Sequence, residues 1–306
     1  MSSLIEQATR RLEQLRQAGV VLKTPPEENE KKIEENKLNY KSSLLPKDAE
    51  LSEKGLKSLS FSRKVELDLE ALTVAGIISP NAPRSQIADQ YRVIKRPLIS
   101  NAMGKGPSLI KNGNLIMVTS ALAGEGKSFS AINLALSIAT ELDNTVMLVD
   151  ADVARPSVLR MLGLPASPGL LDLLVGDVDD LSSVLLKTNI DKLTLLPSGT
   201  PHLRATELLA SDAMSQLIKN IANRYSDRII IFDSPPLLLT TESRVLATHM
   251  GQIVMVVHAE KTLQVDIQHA LSSIEACPVK MMVLNQAKNG VQGGYGGYGY
   301  GYGYEQ

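Results

Sequence analysis

The sequence predicts an α/β fold with a doubly wound, mostly parallel sheet flanked by helices. From residue 115 onward, short continuous apolar runs recur, as is typical of strands buried on both faces. Segments with helical periodicity separate them, and this alternation favours a parallel sheet. Residues that could bind ligands or take part in catalysis follow several of these runs. The carboxyl ends of parallel strands lie at one edge of a sheet, where ligands usually bind.

Each element is placed by its own apolar pattern. Strands are predicted at 115–119, 145–149, 193–196, 229–232, 253–257 and 281–284. Helices are predicted at about 87–98, 128–142, 205–224, 241–249 and 263–276. Short apolar pairs between 65 and 78 precede them. We expect Pro97, followed by Gly104, Gly106 and Pro107, to break the chain before the first core strand.

The segment Ala121-Leu-Ala-Gly-Glu-Gly-Lys-Ser128 lies between the first strand and the following helix. This setting predicts a phosphate-binding loop, because glycines let backbone N–H groups turn inward and the helix N-terminus attracts anions. Lys127 can reach the β- and γ-phosphates, and the Ser128 hydroxyl can bind Mg²⁺. The loop departs from the usual pattern at Ala121, where glycine is expected.

Three carboxylates follow two other predicted strands. Asp150 and Asp152 leave the strand at 145–149, and Asp233 ends the strand at 229–232. One carboxylate of the first pair can serve a metal while the other accepts a proton, and Asp233 is a second candidate metal ligand. The alternative is that these residues cap turns or helices.

The ends of the chain differ from its middle. Residues 1–23 predict an amphipathic helix, 24–60 a charged, proline-containing linker, 61–289 the P-loop domain, and 290–306 a disordered tail. The helix either packs on its own domain or a neighbour, or docks on a membrane-bound partner or a membrane surface. The tail tyrosines are either adhesive or phospho-acceptors, and the motifs above favour the second. They are Tyr295, Tyr298, Tyr300, Tyr302 and Tyr304.

Composition excludes several classes. A formal net charge of −1 over 306 residues gives no reason to expect nucleic acid as a partner. One cysteine, Cys277, cannot form a disulfide within the chain and fits a reducing compartment. We expect a cytoplasmic protein, since neither a secretory signal nor a membrane-spanning apolar run is present.

Together these motifs resemble the bacterial tyrosine kinases (BY-kinases) of exopolysaccharide and capsule synthesis. The resemblance covers most of residues 84 to 306, including the phosphate loop, Asp150-Ala-Asp152-Val-Ala-Arg155-Pro156, Phe232-Asp-Ser-Pro-Pro236 and the tyrosine cluster. The N-terminal segments look like those of the free-standing autokinases associated with exosortase-linked exopolysaccharide genes. The fold implied is that of a P-loop NTPase.

The resemblance implies an ATP- and Mg²⁺-dependent autokinase that phosphorylates its C-terminal tyrosines in trans. Its catalytic residues are then Lys127, Asp150, Asp152 and Asp233, with Asp150 as the base. Metal binding falls to Ser128, Asp152 and Asp233. Nucleotide binding falls to Gly124, Glu125, Gly126, Lys127, Ser128, Phe129 and, more weakly matched, Asn285.

The resemblance also implies partners. Such kinases form rings through a helix whose counterpart here carries Asp89, Arg92 and Lys95. A Wzz-like membrane chain-length regulator supplies the activator segment in trans, which recruits the kinase to the inner face of the membrane. A cognate tyrosine phosphatase removes the phosphates.

Two alternatives stay open at this point. A positioning ATPase related to the MinD and ParA proteins would carry an early lysine in the phosphate loop, where this chain has Leu122, and would lack a tyrosine tail. An adaptor that uses ATP only to control assembly is the other.

Overall fold

The computed structural model describes residues 63–80, 85–225 and 227–288. The chain divides into two units, Met1–Ser58 and Leu59–Gln306. The predicted N-terminal helix, the linker and the tyrosine tail lie outside the described residues, so the description concerns the second unit. No helix in these described ranges is long and apolar enough to cross a membrane.

Eight strands form one sheet in the order β1-β4-β5-β3-β6-β2-β7-β8. The pairs are parallel except for β4 with β5, which run antiparallel. This arrangement confirms the predicted α/β class. The strands are β1 (Arg63–Lys64), β2 (Leu115–Ser120), β3 (Thr145–Asp150), β4 (Leu186–Lys187), β5 (Leu193–Leu196), β6 (Arg228–Asp233), β7 (Gln252–His258) and β8 (Val279–Asn285).

Helices pack on both faces of the sheet, and the sheet separates two hydrophobic cores. The first seven are α1 (Leu69–Val74), α2 (Gln86–Ala102), α3 (Lys127–Ala139), α4 (Val158–Met161), α5 (Leu170–Val175), α6 (Leu181–Val184) and α7 (Ala205–Leu209). The last three are α8 (Asp212–Arg224), α9 (Glu242–Ala247) and α10 (Gln264–Ser272).

The central strands place the chemistry at one edge of the sheet. β2, β3 and β6 are buried along almost their whole length, as their apolar sequences predict. In the parallel register of β3 with β6, Asp150 lies opposite Asp233. Val118 of β2 is also opposite Asp233, and the phosphate loop begins after Ser120. The backbone ladder therefore brings three motifs to one place.

Two helices differ from their sequence-based prediction. α2 continues through Pro97 to Ala102, so the expected break at Pro97 is wrong. A proline inside a helix removes one hydrogen bond, but Leu98 beside it is fully buried, and packing of this helix outweighs the loss. The predicted helix at 205–224 is interrupted at Ser211, whose hydroxyl caps α8 by accepting from the N–H of Met214.

The edges of the sheet also depart from expectation. The pattern of continuous apolar runs predicts burial on both faces, but the side chains of β8 alternate between exposed and partly buried. Met282 and Leu284 are among the exposed ones. The two-residue strands β1 and β4 were not predicted, because pairs of residues such as Arg63 and Lys64 carry no periodicity.

Candidate nucleotide and acceptor site

The phosphate loop joins β2 to α3 and has the backbone that its glycines predict. Gly124 and Gly126 have φ values of 83° and 91°, in the left-handed region that favours glycine. At Gly126 an added Cβ atom would displace the side-chain amide of Asn285 from the loop, and the positive φ makes any residue other than glycine strained there. Ala121 is fully buried and is not among the residues with positive φ, which explains why glycine is not needed there.

The loop is held from inside by Glu125. Its Oε2 accepts from the N–H of Leu122 at 2.7 Å, and its Oε1 accepts from the hydroxyl of Thr262. The Asn285 side chain donates to the Glu125 carbonyl oxygen at 3.0 Å. Asn285 therefore lies at the loop, as expected, whereas the role of Thr262 was not apparent from the sequence because 137 residues separate it from Glu125.

Lys127 begins α3 and lies among the carboxylates. Its Nζ is 2.5 Å from Asp152 Oδ2, 3.9 Å from Asp233 Oδ1 and 3.3 Å from the Ser128 hydroxyl. Only 12% of its side chain is exposed. The structure thus gathers the lysine, the serine and two of the predicted acids within one small volume, with the ammonium group offsetting part of their negative charge.

Asp150 and Asp233 are the most deeply buried acids of the site. Burial, followed by repulsion from Asp233, raises the pKa of Asp150 to about 7, although N–H groups of Val158 and Ser157 oppose the shift. Burial raises the pKa of Asp233 to about 6, with Lys127 opposing it. Within the described part of the chain, neither oxygen of Asp233 has a hydrogen-bond partner, and Oδ1 of Asp150 has none either.

This arrangement fits a bound cation. Mg²⁺ prefers oxygen ligands and is commonly held by one or two protein groups together with phosphate oxygens and waters. Ser128, Asp152 and Asp233 supply such oxygens beside the phosphate loop, and Asp233 is buried with Lys127 at 3.9 Å but with no hydrogen bond from the described residues. Among the described residues no group of three or more His, Cys, Asp or Glu forms a metal cage, so the phosphates would have to complete the coordination.

A cavity of about 390 Å³ adjoins the lysine and Asp152. Charged side chains, including Lys127 and Asp152, line the cavity. Leu239, which we take as its rim, is 59% exposed. The segment that carries Leu239 is fixed, since the N–H groups of Leu237 and Leu238 donate to the carbonyls of Ser120 and Ala121. The lining residues are Ala123, Gly124, Lys127, Asp152, Ala154, Arg155, Ser157, Pro235, Pro236, Leu239 and Thr240.

The residues expected to form an oligomer interface lie on α2 but do not share one surface. Asp89 and Arg92 form an exposed ion pair with each other. Lys95 is 3% exposed; its Nζ lies 2.7 Å from a carboxylate oxygen of Glu141 and donates to the Ser137 carbonyl. In this structure Lys95 ties α2 to the end of α3, whereas the sequence predicted an outward contact.

The predicted phospho-acceptors lie outside the described residues. Phe129, expected near the nucleotide, lines a separate apolar groove between α2 and β8, and Asn285 also reaches this groove. The structure thus brings together the loop, Lys127, Asp150, Asp152, Asp233 and Asn285, and the side chain of Phe129 lies in the groove that Asn285 also lines.

With a glycine loop opening onto a lysine, a serine and strand-end carboxylates, the domain is of the P-loop nucleotide-binding class. A family model described as an AAA domain matches residues 113–280, more than half of the chain.

Sequence relatives indicate which family within the P-loop class this chain belongs to. Tyrosine-protein kinase YwqD of Bacillus subtilis is 29% identical over 75% of this chain and 94% of its own length. Tyrosine-protein kinase CpsD of Streptococcus agalactiae is 31% identical over 61% of this chain and 82% of its own length. The chain belongs to the bacterial tyrosine-protein kinase family, which confirms the resemblance seen in its motifs.

A solved structure agrees with this assignment. The chimerical protein CapA2B2 is 26% identical, with a TM-score of 0.57 over 72% of this chain and 93% of that one. Other tyrosine-protein kinases that match are much longer, and the chain spans only 26% and 24% of two of them.

Proposed function

We propose that this protein is an ATP-dependent tyrosine autokinase that phosphorylates the C-terminal tyrosines of a neighbouring copy, and so regulates exopolysaccharide polymerisation and export. The observation that carries the proposal is the position of Lys127 and three buried acids beside a glycine loop, with a polar-floored cavity next to them. The chain also ends in five tyrosines separated by glycines, Tyr295, Tyr298, Tyr300, Tyr302 and Tyr304.

In the proposed reaction the loop N–H groups and Lys127 hold the β- and γ-phosphates of ATP, and Lys127 exchanges its contact with Asp152 for phosphate oxygens. Ser128, Asp152 and Asp233 would hold a Mg²⁺ ion, which would supply neutralisation of the phosphate charge. Asp150 accepts the phenol proton as the tyrosine oxygen bonds to the γ-phosphorus and the bond to the β-phosphate oxygen breaks, which releases ADP.

The environment of Asp150 supports its assignment as the base. A pKa of about 7 lies close to neutral pH, where a general base is most effective. One oxygen is held by the N–H groups of Ser157 and Val158 at 3.2 and 3.1 Å, and the other is without a partner. The carboxylate is therefore oriented by the backbone and keeps one oxygen for a proton.

The cavity rim supports a phenol as the acceptor. Leu239 and Pro236 line the cavity together with Lys127 and Asp152, and this mixture of apolar and charged groups suits a ring that carries its hydroxyl at one end. Glycines flank Tyr295, Tyr298, Tyr300 and Tyr302 on both sides and Tyr304 on one side, so neighbouring side chains add little bulk when such a tyrosine enters the cavity.

Partners are proposed on the same basis. A membrane chain-length regulator supplies an activator segment and recruits the kinase to the inner face of the membrane, and a tyrosine phosphatase reverses the reaction. Copies of the kinase assemble through the exposed part of α2, with Asp89 and Arg92 rather than Lys95 at the contact. The alternative, a MinD- or ParA-like positioning ATPase, lacks support because Leu122 stands where those proteins carry a lysine.

The test is direct. Purified protein is incubated with Mg-ATP and an activator peptide, and phosphotyrosine is located by mass spectrometry. We expect phosphate on residues 295–304, none in Lys127→Met, and none after removal of 290–306, a truncation that keeps nucleotide binding. Normal ATP hydrolysis with an unlabelled tail would refute the kinase proposal and favour the positioning ATPase.

A further inference from the structure

The carboxylate of Glu125 is built into the phosphate loop. The residue is 3% exposed, and its two oxygens are bound separately, one by the Leu122 N–H and one by the Thr262 hydroxyl. The contact with Leu122 spans three residues and closes the loop on itself. Ser120 completes this closure, because its hydroxyl donates to the Leu122 carbonyl at 2.6 Å.

The same residue joins the loop to the neighbouring strands. Thr262 also accepts from the N–H of His258, the last residue of β7, at 3.1 Å. The side chain of Asn285, the last residue of β8, donates to the Glu125 carbonyl. Glu125 is thus fixed from the ends of two adjacent parallel strands, neither of which belongs to the loop.

A negative charge at this place opposes the ligand. The loop receives the phosphates of ATP, and a nearby carboxylate repels them through a poorly screened medium. Within the described ranges, no lysine, arginine or histidine lies at ion-pair distance from Glu125. Because no cation compensates this repulsion, the charge of Glu125 does not favour phosphate binding. The contribution of Glu125 to the loop is therefore its two hydrogen bonds.

We propose that Glu125 is a positioning residue that, with Thr262, holds the phosphate loop in its anion-binding shape before nucleotide arrives. A loop fixed in advance loses little conformational freedom on binding, which raises affinity without a new contact to the ligand. The inference rests on the proposed function only in that the loop binds ATP, and it concerns binding rather than phosphate transfer.

The experiment measures the Kd of Mg-ADP by calorimetry on the full chain. Glu125→Ala leaves the partly buried Leu122 N–H without its acceptor and is expected to weaken binding about tenfold. Glu125→Gln retains an oxygen for that N–H and removes the repelling charge, so it should restore most of the affinity. Thr262→Val should give an intermediate loss.

The double variant distinguishes a specific contact from general damage. If Glu125 and Thr262 act together, Thr262→Val should cause no further loss in the Glu125→Ala background. Glu260→Gln is the matched control, since Glu260 lies near Thr262 but pairs with Lys288 and not with the loop. Its Kd should equal that of the unmodified chain.

Kinetics supply a second readout. The KM for ATP in tail phosphorylation should rise in Glu125→Ala while kcat changes little, since the substitution acts before transfer. Unchanged Kd in Glu125→Ala, additive losses in the double variant, or a loss confined to kcat would overturn the inference. An unlabelled tail in the unmodified chain would instead overturn the proposed kinase activity. The Kd values of the variants would still test the role of Glu125 in nucleotide binding.

Discussion

Replacing Asp233 with asparagine tests whether the buried negative charge of Asp233 lowers the stability of the folded chain when nucleotide is absent. Asp233 is fully buried, its oxygens have no hydrogen-bond partner, and burial raises its pKa from 3.8 to about 6. Between those two values the folded chain binds more protons than the unfolded chain, so stability falls as pH rises through this window. Above pH 6 the destabilisation is complete.

The magnitude follows from the shift. A displacement from 3.8 to about 6 corresponds to about 3 kcal/mol of unfolding free energy at pH 8. About half of this remains at pH 5, where the folded carboxyl is already mostly protonated. Asp233→Asn removes the charge and also relieves its repulsion on Asp150, so the variant should gain stability relative to the unmodified chain as pH rises. The new amide also needs partners, so the pH dependence of the difference is more informative than its absolute size.

The assay is urea unfolding of both proteins at pH 5 and pH 8, with EDTA and without nucleotide. Groups other than Asp233 and its neighbour titrate alike in both chains and cancel in the difference. Asp143→Asn, at an exposed position, is the control and should show no pH-dependent difference. With saturating Mg-ADP the order should reverse, because only the unmodified chain offers its carboxylate to the cation. A difference that does not change between pH 5 and pH 8 would refute the reasoning.

Three other predictions address the loop, the helix contact and the cavity rim. Gly126→Ala should weaken Mg-ADP binding in calorimetry by about tenfold or more, since its φ is positive and a methyl group would displace the Asn285 side chain from the loop; unchanged binding would contradict the loop geometry. Lys95→Met should lower the unfolding free energy by about 1–2 kcal/mol. This is less than for a fully buried ion pair, because Glu141 is partly exposed to water. It should leave self-association in sedimentation unchanged, whereas Arg92→Ala should weaken it; the opposite result would place Lys95 at the interface. Leu239→Asp should raise the KM for a tyrosine-tail peptide about tenfold by removing apolar contact, with little effect on Mg-ADP binding. An unchanged KM for the peptide would show that Leu239 does not contact the tyrosine.

The sequence predicted the sheet well because its central strands are buried on both faces. Continuous apolar runs such as those before Asp150 and Asp233 fit neither a half-exposed strand nor an amphipathic helix, and glycines fix the loop between a strand and a helix. Parallel strands have their carboxyl ends on one edge, so the meeting of the loop and the acids could be predicted without knowing the strand order.

Contacts between residues distant in sequence could not be predicted. The partner of Lys95 is Glu141, and that of Glu125 is Thr262, and neither pair has a spacing that a local pattern could indicate. The path of α2 through Pro97 was missed for the same reason, since tertiary packing of Leu98 decides it rather than local propensity. The roles of the site residues in catalysis stay predictions until the variants are measured.

The register of β3 with β6 has a consequence for how such kinases diverge. Asp150 and Asp233 are set opposite each other by backbone hydrogen bonds, which do not depend on the identity of the surrounding side chains. Substitutions in the segment around Leu239 can therefore change the lining of the cavity without moving these acids. A register held by the backbone can persist between chains that share only 29% or 31% of their residues, as this chain does with YwqD and CpsD.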